Sequence, residues 1–364
     1  MKHKETNVAF LGVLPPPETG RTSVTRKIVA VLSERYNVYT YDFLPKGRKP
    51  RRLWRVNKNA RTINALFKLW FWKVDRKVNK LYLACISGWG ILYDVLLAFF
   101  AKKIRYQLFI HHHSYFYINR FNWRMNLLTK IAGDNCCHIL LCKAMMYQFR
   151  SLYPSAINCT ILSNGFMLDK IQSHCKTHSG SRIVLGHISN LSKEKGLGLV
   201  IRTFASIRAS GFDITLVLAG PTNSENDERL ISLALEKFPH AIDYRGPVYG
   251  WRKKEFFNDI HIMLFPSRYK NEAQPLVIFE ALSCGVPVIC FDRGCIGNMI
   301  DSRCGMLVMQ GENFVKMASS YIINCLKDKD QYREYSRCAI EQATELKCNG
   351  LEELEEITAL IGKR

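Results

Sequence analysis

The chain has 364 residues and a mass of 42.0 kDa, enough for two domains at roughly 150 residues each. Its composition, 48% hydrophobic and 23% charged, is globular and excludes an intrinsically disordered chain. The formal charge of +21 implies an anionic partner, and thirteen cysteines without framework spacing read as free thiols in a reducing compartment rather than as a disulfide scaffold.

Lys2, Lys4 and Glu5 lead into the apolar run Val8–Leu11, which is too short for a signal sequence, so none is expected. Val8–Leu11 reads as a buried strand. A loop of Pro15, Pro16, Pro17 and Gly20 follows, and then a helix to about Arg35, with Thr22 or Ser23 as its cap. Strands are expected at 37–42, 81–86, 107–110, 139–142 and 160–163. The stretch 81–101 imitates a membrane span, but Asp94 and Ser87-Gly88-Trp89-Gly90 interrupt it. It reads as a strand, a turn and a helix.

The second half repeats the alternation. Strands are expected at 182–188, 213–218, 241–245, 261–265 and 286–290. Helices are expected at 198–209, 227–238 and 276–283, with a charged helix at 351–361. Short apolar strands alternating with helices imply parallel sheets covered on both faces. The polar segment 173–181 lies between the two series. The expected domains are therefore residues 1–173 and 174–345, with 346–364 as a terminal helix that could pack back on the first domain.

The charge is asymmetric. Residues 1–170 hold 28 lysines and arginines against 8 acids, whereas residues 171–364 hold 24 against 23. Residues 46–80 alone carry thirteen basic residues and one acid, Asp75. Within them Ile63, Leu66, Phe67, Trp70, Phe71, Val74 and Val78 recur at helical spacing. The expectation is that this stripe packs on the sheet while Trp72 and Lys68, Lys73, Arg76 and Lys77 face an anionic membrane surface. Nucleic acid is the rival partner for such a patch, but no nucleic-acid motif accompanies it.

Glu272 and Glu280 carry the clearest chemistry. Glu272 falls in a loop after a strand, and Glu280 lies about one turn into the following helix. The free amides at that helix start favour an anion such as phosphate. Two carboxylates beside them suit hydroxyls, since each accepts several hydrogen bonds. A pyrophosphate with a sugar at either end satisfies all three groups. A carboxylate at 280, flanked by Ile278-Phe279 and Ala281-Leu282, needs a partner, because burying it alone is costly.

Several segments in this order resemble the retaining glycosyltransferases of the GT-B fold, of the family-4 type. These are Ile161-Leu162-Ser163-Asn164-Gly165, the loop Ser189 to Gly196, Leu218-Ala219-Gly220-Pro221, and Glu272 to Glu280 followed by Ala281-Leu282-Ser283-Cys284-Gly285-Val286-Pro287-Val288. The resemblance is dense in the second half and loose in the first. It implies two Rossmann-like α/β domains facing each other across a cleft.

By this resemblance Glu272 binds hydroxyls of the donor sugar and Glu280 the ribose. The amides around Gln274, Pro275, Leu276 and Val277 hold the diphosphate, and Lys195 neutralises it as the glycosidic bond breaks. The family commonly has an arginine five residues before that lysine. Here Asn190 stands in its place, and Arg245 and Arg268 are the available substitutes. The family also has a histidine at the strand end where this chain has His111, His112 and His113. On an extended chain His111 and His113 point to one side, so His113 and then His111 are the candidates to face the sugar. Gly20 matches the loop that approaches the donor phosphates.

The implied activity is retaining transfer of a sugar from a nucleotide-sugar to a lipid-linked, lipopolysaccharide or polysaccharide acceptor. The expected location is cytoplasmic, peripheral at the inner face of the plasma membrane. No metal or other cofactor is expected: Asp328-Lys329-Asp330 lies in a late charged segment, and three consecutive histidines do not converge readily on one ion. The alternative is a non-catalytic nucleotide-sugar-binding or nucleic-acid-binding protein that uses the basic half.

Overall fold

The computed structural model describes residues 6–43, 51–177 and 182–363, with the backbone alone for 51–57. Lys2, Lys4 and Glu5, the start of the basic segment at 46–50, and residues 178–181 of the polar segment lie outside the described residues. The chain divides into two compact units, residues 1–167 with 350–364, and residues 168–349.

In the first unit the elements alternate: β1 (Asn7–Gly12), α1 (Gly20–Arg35), β2 (Asn37–Asp42), α2 (Arg51–Asp75), β3 (Lys80–Ala84), α3 (Ile91–Lys103), β4 (Gln107–His111), α4 (Trp123–Ala132), β5 (Cys136–Leu140), α5 (Lys143–Leu152) and β6 (Cys159–Ile161). All six strands are parallel, in the order β2-β1-β3-β4-β5-β6. Chain direction across this sheet reverses after β2. Right-handed crossovers therefore put α1 on one face and α2, α3, α4 and α5 side by side on the other. The span-like stretch 81–101 forms β3, a short turn of helix and α3, and no helix among the described residues is long and apolar enough to cross a membrane.

The cap of α1 lies earlier than expected. Thr19 Oγ1 accepts from the Thr22 amide, and Thr22 Oγ1 accepts from the Thr19 amide at 2.8 Å, a reciprocal capping box. Thr22 is thus the third residue of the helix rather than its cap.

The orientation of α2 also differs from the sequence expectation. Thr62, Ala65, Leu69 and Trp72 are buried, whereas Ile63, Phe67, Trp70, Phe71 and Val74 are exposed. Trp72 packs against Tyr39 of β2, so the side chain expected outside is inside and most of the stripe is outside. Val78, beyond the helix end, is buried as expected.

The second unit contains β7 (Ile183–Ile188), α6 (Leu197–Ala209), β8 (Ile214–Ala219), α7 (Glu225–Lys237), β9 (Ile242–Tyr244), α8 (Trp251–Asp259), β10 (Ile262–Phe265), α9 (Leu276–Ser283), β11 (Val288–Phe291), β12 (Gly305–Val308), α10 (Phe314–Lys327) and α11 (Lys329–Gly362). Its parallel sheet has the order β12-β11-β10-β7-β8-β9. Ile183 and Leu185 of β7 pack with α6, α7 and α10 on one face, and Met263 and Phe265 of β10 with α8 and α9 on the other. Residues 172–176 are bound to this unit: the Lys176 ammonium donates to the carbonyls of Phe257, Asn258 and Ile260 at 2.6–2.7 Å. α11 is far longer than the expected 351–361, and its last turns, from Gly350, count with the first unit. Gly350 permits this close approach, since a Cβ there would meet the Phe166 amide nitrogen at 2.4 Å.

Candidate functional site

In open parallel sheets, ligands bind beyond the strand ends where the strand order reverses. In the second unit that point lies between β7 and β10, and the loops leaving these strands are 189–196 and 266–275. Both candidate residues Lys195 and Glu272 are on them.

Lys195 Nζ donates to Glu272 Oε2 at 2.6 Å, and the Ser267 hydroxyl donates to the same oxygen at 2.6 Å. Tyr269 holds its ring 5.0 Å from the ammonium. The Lys195 side chain keeps 22% of its surface exposed and Glu272 10%, so the pair is recessed but open to a ligand. Two glycines make the loops fit. Gly196 sits at φ +85°, where a Cβ would meet the Pro266 carbonyl oxygen at 2.3 Å. At Gly294, with φ +61°, a Cβ would meet the Glu272 carbonyl oxygen at the same distance.

Beneath the loops, buried His187 ties the two strand ends together. Its Nδ1 donates to the Leu264 carbonyl at 2.8 Å, and its Nε2 accepts from the Ser189 hydroxyl at 2.9 Å. Burial lowers its pKa to about 4, so it is neutral and holds this tautomer.

The loop of Glu272 runs into α9. Gln274 is buried, and Pro275 is the N-cap and offers no side-chain cap. Leu276 and Val277 open the helix, so the positive end of its dipole faces the space beside Glu272. Glu280, one turn on, is not alone. Lys253 of α8 donates to its Oε1 at 2.7 Å and lies 2.6 Å from its Oε2. Burial raises the Glu280 pKa and the Lys253 charge counters it.

Asn190 is exposed at the end of β7. Of the two arginines available to supply the missing charge, Arg245 is held by Asp243 at 2.8 Å and Asp259 at 2.7 Å. Arg268 is exposed, its amide donates to the Glu194 carbonyl at 2.7 Å, and it makes no ion pair among the described residues. It stands beside the Lys195 loop with its guanidinium over the Phe291 ring, 5.6 Å from the centroid.

In the first unit Gly20 is the exposed first residue of α1. His111, the last residue of β4, is fully buried and its Nδ1 is 2.7 Å from the Tyr82 hydroxyl. His113 is half-buried, its ring lies tilted against that of His111 with centroids 3.9 Å apart, and its Nε2 has no hydrogen-bond partner among the described residues. His112 points the other way and bonds to Tyr117 and His138. Burial lowers the pKa of all three, to about 3 for His111, with the Arg21 charge adding to the effect there. That guanidinium donates to the Ala84 and Cys85 carbonyls at 3.0 and 2.7 Å. Among the described residues, no group of three or more histidine, cysteine or acidic side chains is arranged to hold a metal ion.

Sequence reasoning missed Lys253, His187, Ser267 and Gly294. The signal for Lys253 was indirect: a carboxylate within an apolar run demands a cation, but not from any stated position.

Residues 171–342 match the family model described as Glycosyl transferases group 1. A Staphylococcus aureus protein named capsular polysaccharide biosynthesis glycosyltransferase CapM is 25% identical over 154 residues. The match covers 40% of this chain and 38% of the relative, so the chain spans well under half of that protein. Among solved structures, Anabaena Alr3699/HepE in complex with UDP superposes with a TM-score of 0.72 at 15% identity, over 97% of this chain and 100% of that one. WaaG, a glycosyltransferase involved in lipopolysaccharide biosynthesis, superposes with a TM-score of 0.64 at 14% identity, over 97% and 99%. The chain has the GT-B fold, and residues 171–342, within its second unit, are similar to group 1 glycosyl transferases.

Proposed function

We propose that this chain is a retaining glycosyltransferase of the family-4 type. It moves a sugar from a nucleotide-sugar to a lipid-linked, lipopolysaccharide or polysaccharide acceptor, and it works at the cytoplasmic face of the membrane. The observation that carries the reading is the Lys195–Glu272–Ser267 cluster at the strand-order reversal, beside the uncapped start of α9. The UDP named with HepE and the polysaccharide named with CapM support it.

In this reading the α9 amides at Leu276 and Val277 and the Lys195 ammonium receive the diphosphate. Lys195 then exchanges Glu272 for phosphate, which frees the carboxylate for sugar hydroxyls. Arg268 supplies the charge that Asn190 lacks. Glu280, held by Lys253, accepts from the ribose. As the glycosidic bond breaks, negative charge grows on the leaving diphosphate, and preorganised positive groups stabilise it most there. The acceptor hydroxyl attacks from the same face and passes its proton to the departing phosphate oxygen, which gives retention without a covalent intermediate. His113, or His111 behind it, is neutral and serves as a hydrogen-bonding partner for the sugar rather than as an acid. No metal is required, because the lysine and the helix dipole fill that role.

The stereochemistry of the product tests the proposal. Proton NMR of the first-formed glycoside should show the anomeric configuration of the donor, and an inverted product would reject the retaining assignment.

A further inference from the structure

The exposed stripe of α2 is one part of a larger surface. On a helical wheel Ile63, Phe67, Trp70, Phe71 and Val74 fall within an arc of about 100°, nearly opposite the buried arc of Thr62, Ala65, Leu69 and Trp72. The helix therefore has two apolar faces, one used by the sheet and one exposed among the described residues. The two neighbouring helices repeat the arrangement. Leu96 and Phe99 are exposed on α3, opposite buried Leu97, Ala98 and Ala101. Trp123 and Leu127 are exposed on α4, opposite buried Met125, Leu128 and Ala132.

The three helices are adjacent on one sheet face and are bonded together. The Tyr93 hydroxyl of α3 donates to Asn59 Oδ1 of α2 at 2.6 Å, and the Lys102 ammonium of α3 donates to the Ile131 carbonyl of α4 at 2.9 Å. One helical layer thus turns apolar side chains outward from three successive members. A surface of this kind marks an interaction site.

The charge around it identifies the partner. Residues 51–133 contain sixteen lysines and arginines and two acids, Asp75 and Asp94; of these Asp94, Lys58 and Lys80 are buried. Lys68, Lys103 and Lys130 are exposed beside the apolar side chains. Long cationic side chains around aromatic and aliphatic groups suit the boundary between anionic headgroups and acyl chains, where the apolar groups sink in and the ammonium groups reach back to phosphate. A second copy of the same face would bring like charges together. Nucleic acid has no use for the aliphatic members Ile63, Val74, Leu96 and Leu127.

We propose that the outer face of α2, α3 and α4 is a monotopic docking surface for an anionic phospholipid bilayer, with Phe67, Trp70 and Phe71 as its inserted centre. This rests on the membrane part of the reading above and specifies it. The contact is insertion by exposed apolar side chains, framed by charge, rather than attraction by charge alone.

The test is flotation of the full chain with vesicles of phosphatidylcholine alone or with about 30% phosphatidylglycerol, at low and moderate salt. The variant Phe67→Gln/Trp70→Gln/Phe71→Gln changes exposed groups and should keep its circular dichroism and melting temperature. Its affinity for the anionic vesicles should fall at least ~tenfold, more than for Lys68→Gln/Lys103→Gln, because apolar insertion supplies most of the hold at moderate salt. Brominated lipid should quench the wild-type chain more than Trp70→Phe. Wild-type binding that the triple variant retains, equal binding to neutral and anionic vesicles, or a salt-stable dimer that the triple variant dissolves would each overturn the proposal. Donor turnover with a water-soluble acceptor, measured on the same samples, keeps the two ideas apart. Its absence in the wild type removes the transferase reading and leaves the vesicle result standing.

Discussion

Lys253 Nζ lies 2.7 Å from Glu280 Oε1 and 2.6 Å from Oε2, a forked pair joining α8 to α9 across 27 residues of sequence. It gives the carboxylate between Phe279 and Ala281, both buried, a cation to pair with. It also sets a pH response. Burial raises the folded-state pKa of Glu280 above its ordinary value, so this group favours folding when protonated and loses that contribution as pH rises through the raised value. Removing Lys253 raises that value further. Lys253→Met should therefore lose about 1–2 kcal/mol at pH 7, less than a fully buried pair because both side chains reach solvent, and recover part of it near pH 5. Thermal melts at the two pH values check this, and Lys253→Met/Glu280→Gln should flatten the difference.

Glu280→Ala and Glu272→Ala should separate kinetically. If Glu280 holds the ribose as proposed, its loss removes a contact shared by ground and transition states and should raise KM with little change in kcat. If Glu272 lies next to the reacting sugar as proposed, its loss should lower kcat, since charge develops there as the bond breaks. Steady-state kinetics on both variants decide it.

Lys195→Ala should cost about 2–4 kcal/mol of transition-state stabilisation, the loss expected for one preorganised charge at a leaving group. It also strips Glu272 of its cation. Asn190→Arg should raise donor affinity if Arg268 compensates incompletely, and Arg268→Ala should lower it. Titrating each variant with the nucleoside diphosphate measures both effects.

Gly294→Ala should disturb the site without touching a ligand. The added Cβ would stand 2.3 Å from the Glu272 carbonyl oxygen at a φ of +61°, so the loop carrying Glu272 must move. A stability loss of about 1–3 kcal/mol is expected. The fall in turnover should exceed what the unfolded fraction explains, as read by comparing activity with circular dichroism at 20 °C.

Asp94 gives the first unit its own pH response. It is fully buried, accepts from the Ile86 amide at 2.7 Å, and desolvation raises its pKa to about 7. Its contribution is full below the ordinary carboxylate value and is lost as pH rises towards 7. Asp94→Asn should make the melting temperature flatter between pH 5 and pH 8 than in the wild type.

What the sequence made legible follows from its physics. Val8–Leu11 and Ile262–Phe265 read as strands because parallel strands buried on both faces are continuous apolar runs. Lys195, Glu272 and Glu280 were legible through their motif, and the structure brings the first two into contact. The direction in which α2 faces was not. Its two apolar arcs share one period, so counting spacings finds both and cannot choose the one the sheet covers. The inward face carries Trp72 against Tyr39 of β2, a contact that spacing within the helix does not reveal. His187 was also hidden, because a lone histidine in a strand carries no trace of the carbonyl and hydroxyl it bridges.

The most direct measurement is nucleoside diphosphate release by the full chain from a panel of UDP-, GDP- and ADP-sugars, run beside Glu272→Ala. The wild type should release nucleotide slowly from one donor class, and the variant should nearly lose that release with the nucleotide still bound. Absence of release from every donor, or equal release by both proteins, would contradict the proposed function.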